Sequence, residues 1–206
     1  MSISTFKSLR RAFAFVMVSV FVMNGGISTA GPEIQLISSA FKHEGKIPEN
    51  YTCDGRNFSP PLSWSGIPEK AKSIALIADD PDAPKKTWVH WVLYNLAPDT
   101  IELPEGLARS DTLPSGAKQG ITDFESTGYG GPCPPKGEHR YFFKLYALDV
   151  VLDLKPGARK EELAEAMKDH ILAEGQLMGT YKRSRYHQSQ PKLDRAKKGK
   201  KNGTSL

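Results

Sequence analysis

Apolar positions in this chain fall into short runs separated by long polar stretches, a pattern that favours strands over helices. The densest run is "WVHWVLYNL", Trp88–Leu96. It reads as a strand buried on both faces, with Trp88, Val92, Tyr94 and Leu96 on one side and Val89, Trp91 and Leu93 on the other. His90 interrupts the run, and two acids, Asp80 and Asp82, stand just before it.

Other segments follow the same logic. Glu33–Phe41 alternates moderately and predicts a strand, and "SIALIA" (Ser73–Ala78) predicts a short apolar one ending at the acids. Cys53–Lys70 is dense in Gly, Pro, Ser and Asn and reads as loop. Residues 98–138 hold six prolines and seven glycines, so a long ordered loop is expected there. His139–Val150 is an aromatic-rich strand. In "ARKEELAEAMKDHILAEG", Leu163, Ala166, Met167, His170 and Ile171 recur at helical spacing, and Gly175 suits a C-cap. "QLMGTYK" closes as a last strand. Strands separated by loops, with one late helix, imply a mainly β fold, a mostly antiparallel sandwich. Neither a GxGxxG after a strand nor a GxxxxGK[ST] is present, which argues against nucleotide binding by those routes.

Composition divides the chain. Of 206 residues, 39% are apolar, enough for a real core in one ordinary domain. Residues 1–30 have the pattern of an export signal: Lys7, Arg10 and Arg11, then an apolar Ala12–Met23, then Ser28-Thr29-Ala30 at the cleavage positions. An uncleaved anchor is the alternative. Nine Lys/Arg against one acid follow from Lys182 to Leu206. Of the net +5, the signal takes +3 and the tail +8, leaving −6 for Gly31–Tyr181. The excess of positive charge therefore belongs to the ends, and a nucleic-acid partner is not expected. Residues 31–183 are the expected domain, and 184–206 a basic, disordered tail able to touch an anionic membrane surface peripherally. Cys53 and Cys133 are the only cysteines, and no CxxC exists. An even pair in an exported chain suggests a disulfide.

Five motifs occur together and in order: "CDGRNFSPPLSW" (53–64), "DDPDAP" (79–84), "WVHWVLYNL" (88–96), "GAKQGITDF" (116–124) and "GYGGPCPPKGEHRYFFKLYALD" (128–149). Together they resemble the phosphatidylethanolamine-binding protein family, in its bacterial Raf-kinase-inhibitor-like branch, over roughly residues 33–183. The resemblance implies two antiparallel sheets with a few peripheral helices and a small anion pocket. Its motifs map onto Asp80 and Asp82, Trp88 and His90, Gly131, Pro132, Pro134 and Pro135, and His139, Arg140 and Tyr141. It implies no metal and no cofactor. It also places Cys53 and Cys133 in Pro/Gly loops at one end of the sandwich, where they are expected to bond; two free thiols lining the pocket are the alternative. The family includes lipid-headgroup binders, kinase-pathway modulators and protease inhibitors, so membership leaves the role open.

Physically, His90 is either a neutral ring bonded inside the core or a ring at a pocket mouth. With His139 it can converge on one ligand oxygen, each imidazolium donating two N–H bonds. One acid, Asp80, is expected to orient a ring, while Asp82 serves the loop's own backbone or the site. Arg140 can grip phosphate, but alternation puts it opposite His139 and Tyr141, which favours a surface salt bridge. Trp88, Tyr129 and Tyr141 are expected as pocket wall. Two histidines and an aspartate also suit a metal site, though no HExxH is present, and no GxSxG marks a serine nucleophile. The expected function is therefore an exported, non-enzymatic binder of a small anion or phospholipid headgroup, with a kinase or hydrolase as a possible protein partner. The second reading is an inhibitor of a secreted or periplasmic hydrolase with a vestigial pocket; a metal-dependent hydrolase is a third.

Overall fold

A computed structural model describes residues 33–184. The expected signal segment and all but the first residue of the expected tail lie outside the described residues. In chain order the strands are β1 (Gln35–Ile37), β2 (Gly45–Lys46), β3 (Leu62–Ser65), β4 (Ser73–Asp80), β5 (Trp88–Leu96), β6 (Glu102–Leu103), β7 (Lys118–Gln119), β8 (Glu138–Leu148) and β9 (Ile171–Lys182), with helix α1 (Lys160–Met167) before β9. They form a six-stranded sheet, β2-β9-β8-β4-β5-β7, and a three-stranded sheet, β1-β3-β6. All pairings are antiparallel except β2 with β9. The mainly β, two-sheet expectation holds.

The larger sheet is covered on both faces. One face meets the small sheet, where Leu36, Leu62 and Trp64 join Leu76, Trp91, Leu93, Phe143, Leu145 and Leu177 in one core. The other carries Ala75, Ile77, Val92 and Tyr94 under Leu152 and the helix residues Leu163 and Met167. That double cover explains why every residue of β4 is buried, Asp79 and Asp80 included. Asp79 is not isolated: Lys144 and Lys160 both donate to it.

Simple alternation along β5 does not hold. Ala78 pairs with Trp91 and Asp79 with Val89, so His90 is an extra residue in a β-bulge. A second irregularity lies between Ile74, opposite Leu96, and Leu76, opposite Leu93. There Asn95 takes a left-handed backbone (φ 57°) and bonds Leu152 through both ends of its amide. Trp91, Leu93 and Leu96 therefore share the inter-sheet core, while Val89, Val92 and Tyr94 share the outer one.

Five further expectations are corrected. The helix stops at Met167; Lys168 leaves the helical region (φ −56°, ψ 133°), Asp169 is left-handed (φ 64°), and Ile171–Gly175 belong to β9. Register with β8 from Leu148↔Ile171 to Glu138↔Lys182 outweighs the local helical pattern. Gly175 caps nothing; it lies where a Cβ would come within 2.1 Å of the Ile34 carbonyl oxygen. The loop expected at 53–70 contains β3, whose Leu62 and Trp64 are buried. The first strand pairs only over Gln35–Ile37, and β4 runs on to Asp80.

Candidate anion pocket

The bulge at His90 gives the ring its position. Nδ1 lies 2.6 Å from the Gly130 carbonyl oxygen, so it must carry the hydrogen and donate, and His90's own carbonyl accepts from Gly130 N at 2.8 Å. The ring stands edge-on between Phe124 and Tyr141, each with its centroid 5.2 Å away. Gly130 has to be glycine here, because a Cβ would fall 2.4 Å from the Phe124 ring. Burial lowers the pKa of His90 below its usual value; the Gly130 carbonyl and the carboxylates of Asp80, Asp79 and Asp123 oppose that only in part. The ring is thus neutral near pH 7, with Nε2 the nitrogen available to a ligand.

His139 is the second residue of β8 and is 6% exposed. Its Nδ1 donates to Asp80 Oδ2 at 2.7 Å, which fixes the tautomer while Asp80 is ionised. Asp80 Oδ1 accepts from Asp82 N at 2.8 Å, so Asp80 makes the turn bond expected of Asp82. Asp82 instead grips Arg140, at 2.9 Å to Nε and 2.7 Å to Nη2, and takes its backbone N–H as well. That pairing lowers the Asp82 pKa to about 2, with Arg140 the largest cause. Arg140 is therefore a surface ion-pair residue. Tyr141 stacks on His139 with its hydroxyl buried and without a hydrogen bond of good geometry; burial and the neighbouring Asp80 carboxylate push its pKa up.

A cavity of about 450 Å³ opens beside this group, lined by Asp80, Pro84, Lys85, Trp88, His90, Phe124, Cys133, Pro135 and Arg183. Of the residues expected from sequence, Asp80, Trp88, His90 and Pro135 reach the cavity. His139 and Tyr141 lie behind it as support, and Asp82 is turned to Arg140. Pro132 and Pro134 are buried in the wall loop, where the Pro132 carbonyl accepts from Cys53 N at 3.1 Å. Tyr129 is core rather than pocket wall: it packs on Trp91 and Phe143 and donates to the Tyr51 carbonyl at 2.9 Å. Cys53 and Cys133 form a disulfide with a Cα–Cα distance of 5.4 Å, so the free-thiol alternative is excluded.

Pro84, Lys85, Phe124 and Arg183 were not anticipated. Phe124 sits in an irregular loop and is 40% exposed, so no hydrophobic period marks its place at the cavity. It is set in place by Asp123, which accepts from Val89 N at 2.7 Å and from Lys86 Nζ at 2.6 Å. Arg183 follows directly on β9 and looks like the first residues of the basic tail. In the fold, its Nε and Nη2 donate to Asp54, whose other oxygen also accepts from the Tyr181 hydroxyl at 2.9 Å. Among the described residues, no three His, Cys, Asp or Glu side chains gather to hold a metal ion.

Comparison with known proteins identifies the family of the chain. Residues 37–182 match the family model described as phosphatidylethanolamine-binding protein. A protein of Methanothermobacter thermautotrophicus called UPF0098 protein is 57% identical over 150 residues, covering 73% of this chain and 99% of that one. The crystal structure of CT736 from Chlamydia trachomatis, titled a putative phosphatidylethanolamine-binding protein homolog, superposes with a TM-score of 0.68 at 45% identity, covering 74% of this chain and 99% of that one. YbcL of E. coli, described as a member of the mammalian PEBP family, gives 0.69 at 34% identity with the same coverage. With the family model spanning most of the chain and relatives this similar, the chain belongs to the phosphatidylethanolamine-binding protein family.

Proposed function

We propose that the protein is an exported, non-enzymatic binding protein whose pocket takes a small anion of the phosphate or phosphoethanolamine kind and thereby modulates a partner. The observation that carries this reading is the cavity itself, where a buried imidazole and two cationic side chains, Lys85 and Arg183, meet an aromatic wall of Trp88 and Phe124. Few, precisely placed polar groups in a mainly apolar concavity are the hallmark of a small-ligand site. The neutral His90 accepts a hydrogen from a protonated ligand oxygen, or takes up a proton and donates. In either case the complex holds one proton between ring and ligand. A disulfide is compatible with export.

Calorimetry with inorganic phosphate and with phosphoethanolamine, at pH 5.5 and 8, tests the reading on the wild type and on His90→Ala. Binding is expected to be tighter at pH 5.5 and to weaken about tenfold or more in the variant. For either ligand, the same affinity at both pH values in both proteins would make these residues packing and return the protein to a partner-binding role with a vestigial pocket. Both ligands should be recovered chemically unchanged. N-terminal sequencing of the exported protein should begin at Gly31.

A further inference from the structure

Whether the cavity attracts an anion depends on which of its charges are already answered. His90 is buried and neutral near pH 7. Asp80 brings a carboxylate to the wall, bonded to His139 at 2.7 Å, and a carboxylate repels an anion. Arg183 is paired through Nε and Nη2 with the buried Asp54, so its charge is offset. Together these groups leave the wall without an excess of positive charge. Lys85 is different. It lines the cavity from the loop between β4 and β5, and it is exposed. The other charged residues along Asp79–Trp88 are engaged: Asp79 with Lys144 and Lys160, Asp80 with His139, Asp82 with Arg140, and Lys86 with Asp123. Among the described residues, Lys85 has no hydrogen bond or ion pair. Its backbone is also left-handed (φ 82°), a region that glycine enters freely and a lysine only at a cost. Local geometry therefore favours glycine at this position, and no pairing within the described residues rewards the lysine.

We infer that Lys85 is the residue that makes this cavity select anions, its ammonium supplying an unanswered positive charge in the lining. This rests on the anion-binding reading above and adds to it the specificity-determining side chain. His90 contributes a proton-dependent contact, and Lys85 a charge contact that persists when the ring has no proton to give. The ligand class that follows carries a net negative charge; a neutral molecule of the same size gains nothing from Lys85.

Calorimetry with inorganic phosphate on the full chain, at pH 5.5 and 8 in about 0.15 M salt, tests this. Lys85→Gln should weaken binding about tenfold at both pH values. Lys85→Arg keeps the charge and should stay within about threefold of the wild type. Lys85→Gly removes the ammonium and the backbone cost together. It should lose phosphate as Lys85→Gln does, yet unfold at no less urea than the wild type. Lys136→Gln removes an exposed lysine beside Pro135 and outside the lining, and should change the affinity less than about twofold. If Lys85→Gln and Lys85→Gly bind phosphate like the wild type, the inference is overturned and the anion reading stays intact. A loss as large in Lys136→Gln overturns it too, since general surface charge would then be the cause. So does a Lys85→Arg variant as weak as Lys85→Gln. A wild type that binds no phosphate at either pH overturns both the inference and the reading it rests on.

Discussion

Asp80 ties the two histidine-bearing regions together: its Oδ2 accepts from His139 Nδ1 at 2.7 Å, with both side chains under 10% exposed. Its other oxygen holds the turn after β4 through Asp82 N. Removing the carboxylate strands a buried imidazole and frees the turn. Asp80→Ala should therefore lower unfolding stability by about 3 kcal/mol. Asp80→Asn still offers one acceptor and should cost about 1–2 kcal/mol. Urea unfolding of both variants tests this; two costs below 0.5 kcal/mol, within about the range of a neutral surface change, would mean that the bond contributes nothing to the fold.

The disulfide closes a loop between cysteines 80 residues apart. Chain entropy puts its stabilisation at about 4 kcal/mol, nearly all of it exerted on the unfolded state. Non-reduced protein should show no titratable thiols, and Cys53→Ala/Cys133→Ala should unfold at correspondingly lower denaturant. Because Cys133 is in the cavity wall and Cys53 precedes Asp54, the double variant should also bind phosphate more weakly. Unchanged affinity in a folded double variant would confine the bond to stability.

Gly175 tests the end of the helix. Read from sequence, it looks like a C-cap; in the fold, it lets Ile34 pass close over β9, with Ile34 N bonded to the Glu174 carbonyl at 2.9 Å. Gly175→Ala should cost about 1–3 kcal/mol through this close approach, where a surface cap position would tolerate it better. A neutral result in a melting experiment would argue against the Ile34 contact.

These particulars show what the sequence could and could not reveal. The long strands β4, β5 and β8 were legible because their apolar side chains announce burial. β9 was half hidden, since two of its buried positions are Gly175 and Gly179, which carry no hydrophobic signal, and its first residues continue the period of α1. β3 was masked by the prolines before it. At the site, Asp80, Trp88, His90 and Pro135 came from motif resemblance, and Asp80 and His90 also from their chemistry. Arg183 and Phe124 were missed because their roles depend on partners 129 and 34 residues away in sequence (Asp54 and His90, respectively) or on loop geometry that no local pattern encodes. The bulge that turns His90 toward the cavity was likewise invisible, because one extra residue leaves the composition of a strand unchanged.

His90 also predicts how stability depends on pH. Its folded pKa is lowered, chiefly by burial, so below about pH 6.5 the unfolded chain binds more protons than the native one. The sign follows: stability is level above that value and falls as pH drops below it, by no more than about 1.4 kcal/mol per pH unit from this group. Asp82 acts elsewhere. Its pKa of about 2 gives stability that is present above its unfolded value near 4 and lost as pH falls toward 2; Arg140 is 54% exposed, so the contribution is small, about 0.2–1 kcal/mol. Between pH 7.5 and 5 the slope from these two groups therefore belongs to His90. His90→Gln should flatten it. Phosphate should flatten it in the wild type too, because an anion that favours the protonated ring binds more tightly as pH falls and stabilises the fold most where His90 destabilises it. Urea midpoints at pH 7.5 and 5, with and without phosphate, measure both effects. A His90→Gln variant with the wild-type slope, or phosphate raising the midpoint equally at both pH values, would show that this ring takes no part in coupling protons to the ligand.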